Sequence, residues 1–240
     1  MRESKYYSEI QELISTIEET QYDSIEKAAG MFADAVKNDR IIHVFGTGHS
    51  HMMGIELFVR AGGLANVNAM LDDSITTAAG ARRGGKIERL EGLAEIIWEQ
   101  YQIDKDDIML IISNSGRNSV PVEMAMKAKA EGLKLIVLTS LKHSMNCESR
   151  HKSGKKLYEL ADVILDNCVP AGDSLLEFNG VKSGPASTIA GCFIVNSILS
   201  EALSRLTDDG ISLPVFGSQN VDGFNNDDLY SKYQSRIRHM

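Results

Sequence analysis

The sequence is short of the residues that break or staple a chain, with four prolines, three cysteines and one tryptophan in 240 residues. Three cysteines (Cys147, Cys168 and Cys192), odd in number and without CxxC spacing, exclude a disulfide framework and predict free thiols in a reducing compartment. Basic residues are the minority, 25 Lys and Arg against 33 Asp and Glu, for a formal net charge of −8. That balance excludes a polyanion-binding surface spread over the whole molecule, and with it nucleic acid as the main partner. Long apolar runs are absent too. The N-terminal MRESKYYSEIQEL carries scattered charges, and the richest apolar stretch, TIAGCFIVNSIL, is short and holds Thr, Asn and Ser. Neither an export signal nor a membrane span is expected, and the cytoplasm is the predicted location.

What is present is a core and a regular alternation. Hydrophobic residues make up 43% of the chain, enough for one sizeable core, and no linker rich in Pro, Gly or Ser divides the chain into two units. One domain over 1–240 is predicted. Two amphipathic helices open it within 1–38, KYYSEIQELISTIEET and DSIEKAAGMFADAVKND, the second with Ile25, Ala28, Ala29, Phe32, Ala35 and Val36 on one face. Apolar runs at 41–45, 66–71, 108–112, 133–139 and 162–166 then alternate with helical patterns at about 50–61, 88–101, 119–131, 153–160 and 185–205. Continuous Val, Ile and Leu runs suit strands buried on both faces, and the β-then-α order implies parallel pairing. The predicted fold class is α/β: a three-layer α/β/α sandwich over 39–206 with a five-stranded parallel, flavodoxin-like sheet, preceded by two N-terminal helices. The turn-rich tail, 207–240, is expected to wrap the domain or a neighbouring subunit.

In such sheets ligands bind beyond the carboxyl ends of the strands, where strand order reverses. Three loops fall there: Gly46-Thr-Gly48-His49-Ser50-His51, then Ser113-Asn114-Ser115-Gly-Arg-Asn118-Ser119, then Thr139-Ser140. The second runs from a strand into a helix opening with Pro121, a start signal. It gathers hydroxyls and unpaired N–H groups around one point, which suits a phosphate; helix capping alone would use one of these residues. A dinucleotide loop needs GxGxxG, and His51 stands at its third glycine; Asp72 alone is placed like a ribose-binding acid. The P-loop pattern is absent, and no cofactor is expected.

GTGHS after the first strand, SNSG after the third and Thr-Ser after the fourth resemble the sugar isomerase (SIS) domain, over roughly residues 25–205. PAGDSLLEF, SGPASTIAG and SGKKLYELADVILDN are similar to small bacterial SIS proteins labelled as phosphoheptose isomerases. The resemblance implies a sugar-phosphate ligand and a homo-oligomer, dimer or tetramer. It implies that Gly48, His49 and Ser50 of the first motif and Ser113, Asn114 and Ser115 of the phosphate turn hold substrate, with Asn118 and Ser140 beside them. Some SIS domains only sense phosphosugars, so binding without catalysis, and lyase or etherase chemistry on an amino-sugar phosphate, stay open. In phosphoheptose isomerases the helix after the glycine loop carries a glutamate base; counting along reaches Val59 and Arg60, with Glu56 one turn earlier.

Aldose–ketose isomerisation needs one group to move a carbon-bound proton and another to move the hydroxyl protons. The candidates are Glu56, Glu177 in GDSLLEFNG, and His51, whose imidazole can move protons near neutral pH. His49-x-His51, and His143, Cys147 and His151 if their segment is helical, also fit a metal by spacing; two ligands alone assign none. Five cations (Lys142, Arg150, Lys152, Lys155 and Lys156) stand against Glu148 in 142–156, and Arg82, Arg83 and Lys86 sit in a Gly-rich loop. Both segments are placed to attract an anion or close over it.

Overall fold

A computed structural model describes residues 4–78 and 80–240. Its centre is one parallel sheet made of β1 (Ile42–Gly46), β2 (Val67–Met70), β3 (Ile108–Ile112), β4 (Lys134–Thr139) and β5 (Val163–Asp166), in the order β2-β1-β3-β4-β5. Ile42 is in register with Val67 on one side and Ile108 on the other. The side chains of these runs split by strand alternation. Val44, Leu110, Ile136 and Leu165 face α1 (Lys5–Lys37), α2 (His51–Leu57) and α7 (Ser187–Asp208). Phe45, Met109, Ile111 and Val137 face α4 (Leu93–Trp98) and α5 (Ser119–Ala130) on the opposite side. The remaining helices are α3 (Ala81–Ile87), α6 (Leu141–Met145) and α8 (Asp227–Tyr233), and a small antiparallel hairpin pairs β6 (Leu176–Phe178) with β7 (Val181–Ser183).

The layers and strands agree with the sequence reading, and several helices do not. The two expected N-terminal helices are one helix of 33 residues, about 50 Å long. The expected break falls at Gln21-Tyr22, yet neither Gly nor Pro interrupts the chain there, and Leu13, Ile17, Ile25, Ala28, Ala29 and Phe32 form one buried stripe on both sides of the junction. The helix expected at 88–101 is only α4, preceded by α3 in the supposed Gly-rich loop, and 153–160 holds a 3-10 turn at Leu157–Leu160.

By length and composition α7 is apolar enough to cross a membrane. In this fold its face of Ala190, Ile194, Val195, Ile198 and Ala202 is buried in the core cluster that includes Phe32 of α1. The tail wraps its own domain. Phe216, Tyr233 and Ile237 pack on Ile41 and Ala65, and the Tyr101 hydroxyl, which donates to the Leu71 carbonyl at 2.8 Å, lies 3.1 Å from His239 Nε2.

The sheet buries one polar network. Asp107 accepts from the His43 ring Nε2 at 3.1 Å and from the N–H groups of Ile41 and Asp104, both at 2.9 Å. An ionised carboxylate only accepts, so Nε2 carries the imidazole proton and Nδ1 accepts from the Asn68 amide at 3.0 Å. Both ring nitrogens of the fully buried His43 are thereby hydrogen-bonded.

Candidate functional site

All five strands run in one direction, so their carboxyl ends share an edge, and the order reverses between β1 and β3. The loops after these two strands meet there. Gly46 ends β1 because the following 3-10 turn, Gly48–Ser50, folds back onto it: a Cβ would stand 2.6 Å from the Ser50 carbonyl carbon and oxygen. The turn leaves His49 exposed and Gly48 and Ser50 half-buried. His51 Nδ1 bonds the Gly48 carbonyl. That carbonyl only accepts, so Nδ1 carries a proton and donates it there.

The turn after β3 is built around Ser113 and Gly116. The Ser113 hydroxyl accepts from Gly116 N–H at 3.2 Å, keeping its own proton for another acceptor. The N–H groups of Ser115, Arg117 and Asn118 donate to no protein acceptor among the described residues. Asn118 precedes α5 without capping it through its side chain. Three unspent N–H donors and two serine hydroxyls thus stand together just before the N-terminus of α5, the kind of donor set an anion uses.

Other expected contacts have different partners. Ser140 is fully buried, donates to the Val169 carbonyl at 2.6 Å and accepts from His143 N–H at 3.1 Å; it caps α6 rather than facing ligand. Asn114 accepts from the Asn167 amide at 2.8 Å and braces the turn from below. Glu56 pairs with Arg60 and accepts from Asn196 of α7 at 2.9 Å, while Glu177 lies exposed on β6. The helical condition on His143, Cys147 and His151 is not met, since α6 ends at Met145. His151 instead contacts Ser153 at 2.7 Å and Glu123 at 3.5 Å. Among the described residues no group of three His, Cys, Asp or Glu side chains is arranged to hold a metal. The three cysteines are unpaired.

The basic segment folds over the turn instead of waving in solvent. Arg150 N–H bonds the Arg117 carbonyl at 2.8 Å, Leu157 N–H bonds that of Gly116 at 2.9 Å, and Lys156 donates to the Ser144 and Cys147 carbonyls at 2.7 and 3.1 Å. Partial burial, then the neighbouring Arg117 and Arg89 guanidinium groups, hold Arg150 below its ordinary value, with Glu88 opposing. Burial, followed by Arg117, likewise lowers His143. Cations crowd this rim.

One residue missing from the sequence reading joins the loops. Glu88, just after α3, accepts from the Thr47 hydroxyl on one carboxylate oxygen and from the Asn118 amide on the other, each at 2.8 Å, and Arg150 donates to Asn118 Oδ1 at 3.0 Å. Its backbone carbonyl receives the Val120 N–H at 3.1 Å. The local sequence KIERLEG resembles any charged helix end, so no periodicity or spacing marks it.

Residues 5–140 match the SIS domain family model. A UPF0309 protein of Halalkalibacterium halodurans is 44% identical over 225 residues, 92% of this chain and 93% of that protein. Among solved structures, a phosphoheptose isomerase from Francisella tularensis aligns at TM-score 0.54 and 18% identity over 83% of this chain and 95% of its own. The Vibrio vulnificus NanR protein complexed with ManNAc-6P aligns at 0.51 and 15%, over 85% of this chain and 62% of its own. At these identities both show a shared fold. The family match and the full-length relative agree with the motifs after β1 and β3, and the chain belongs to the SIS-domain family, among its UPF0309 proteins.

Proposed function

We propose that this protein binds a sugar phosphate in the cradle between the β1 and β3 loops and interconverts its ketose and aldose forms. The observation that carries the reading is the turn 113–118, with three N–H donors free of protein acceptors and a Ser113 proton to give. Ser113 and Ser115 hold the phosphate with those N–H groups, and Arg117 and Arg150 draw it in. Ser50, Gly48 and His49 line the sugar side, and His51 Nε2 moves hydroxyl protons. The location is cytoplasmic and no cofactor enters the reaction.

The working unit is a homo-oligomer. Phe178 and Val181 on the hairpin are 53% and 67% exposed, and Met52 and Ile55 on α2 and Ile189 on α7 are also exposed; a second copy would cover such side chains.

Thermal unfolding with inorganic phosphate, sugar phosphates and the unphosphorylated sugars tests the binding half. A ligand at about 100 times its Kd adds roughly 2.7 kcal/mol to stability. Phosphorylated compounds alone are expected to raise Tm, and Ser113→Ala to cut the shift by more than half. Equal shifts from unphosphorylated sugars would sink the phosphate reading. Binding without turnover, as in a sensor, is the second reading, favoured by the likeness to a chain solved with ManNAc-6P; retained binding with no hydrogen exchange on the sugar would select it.

A further inference from the structure

We propose that Glu88 is the carboxylate that moves the carbon-bound proton in this cradle, a role that rests on the isomerase reading above. Three observations converge on it. Glu88 touches both cradle loops, through Thr47 after β1 and Asn118 after β3. It lies on the line where the strand order reverses. Its hydrogen-bond partners are a neutral hydroxyl and a neutral amide, with the Arg150 guanidinium nearby, whereas Glu56 is ion-paired directly with the Arg60 guanidinium and Glu177 stands on an exposed hairpin. A carboxylate offers about four lone-pair sites; one donor on each oxygen fixes the group and leaves it able to accept a proton. The bond from Val120 N–H to the Glu88 carbonyl pins its backbone to the first turn of α5, so the group is held with the phosphate turn and not on an independent loop.

The step balances without an oxidant or a metal. Starting from the ketose, Glu88 takes one proton from C1, and the C–H electron pair becomes the C1–C2 double bond of an enediol as the C2 carbonyl pair moves to O2. His51 Nε2 carries the O1 proton to O2. Glu88 then returns its proton to C2, and O1 closes the aldehyde. One hydrogen has moved from C1 to C2 and one from O1 to O2.

The test measures deuterium uptake from D2O into fructose, ribulose and sedoheptulose phosphates by NMR, alongside the Kd for inorganic phosphate, in wild type, Glu88→Gln, Glu56→Gln and Glu177→Gln. General base catalysis contributes about 100- to 10,000-fold, so Glu88→Gln should slow uptake at least about 100-fold with phosphate Kd held within about threefold, and the other two variants should stay within about tenfold of wild type. Uptake by Glu88→Gln within about tenfold of wild type would overturn the assignment. So would loss of phosphate binding together with uptake if Glu88→Asp, which keeps the charge, restores both, since that would make Glu88 a brace between the loops; binding restored without exchange keeps the assignment. Wild-type binding of all three sugars with no uptake would instead remove the isomerase reading, and the role of Glu88 with it. No binding of phosphate by wild type would remove the cradle itself.

Discussion

Asp107→Ala is expected to lower the unfolding free energy by about 3 kcal/mol or more, since each buried donor left without an acceptor costs about 1–3 kcal/mol. Asp107 is 4% exposed and accepts from His43, Ile41 and Asp104; alanine leaves an imidazole N–H and two backbone N–H groups in the sheet without acceptors. The effect is pH-dependent. Burial by itself would raise the Asp107 pKa, but the hydrogen bonds from His43, Ile41 and Asp104 outweigh it and hold the carboxyl below 3.8. A carboxyl lowered in the folded state adds stability that is complete above its unfolded value and is lost as pH falls through its folded value. The wild-type advantage over Asp107→Ala, read by urea unfolding, should therefore be constant from neutral pH down to about pH 4 and narrow below it. An advantage that stays constant through that acid range would show that the carboxylate charge contributes nothing.

Gly116→Val is expected to abolish phosphate binding and to destabilise the fold. Gly116 has φ +57°, and a Cβ there would meet Ser144 Oγ at 3.0 Å, with Leu157 Cβ and Thr139 Oγ1 at 3.3 Å. Holding a non-glycine residue in this region costs on the order of 1–3 kcal/mol, most for a β-branched one. The neighbours cannot yield cheaply, since Ser144, Leu157 and Thr139 are fully buried. The turn must open, which breaks the Gly116 N–H bond to Ser113 and scatters the N–H groups of the cradle. Loss of at least about 100-fold in phosphate affinity is the expected result, that being about 2.7 kcal/mol of lost binding. Gly116→Ala should show the same direction with a smaller loss. Binding that survives in Gly116→Val, measured by calorimetry, would place the anion site elsewhere.

Much of the fold was legible because its signals are local. IIHVF, IMLII and LKLIVLT are apolar runs whose length and flanking turns mark buried strands, and their alternation with helical spacing implies the parallel sheet found here. The turn after β3 was legible for the same reason, since Ser113, Ser115 and Gly116 lie within four consecutive positions at the entrance to a helix. Failures came where a local signal competed with a longer one. The segment 1–38 reads as two helices, and the buried stripe from Leu13 to Phe32 joins them into one. Ser140 reads as a ligand hydroxyl, and it caps α6 in the core.

By itself, then, the sequence determined the layers, the strands and the turn after β3, all of which are written in neighbouring residues. Tertiary structure alone decided that Glu88 joins Thr47 to Asn118, that Asn196 of α7 donates to Glu56, and that Asp107 anchors His43. Side-chain hydrogen bonds between residues 30 to 140 positions apart have no periodicity to read, because they depend on how helices and strands are brought together and not on which residues adjoin.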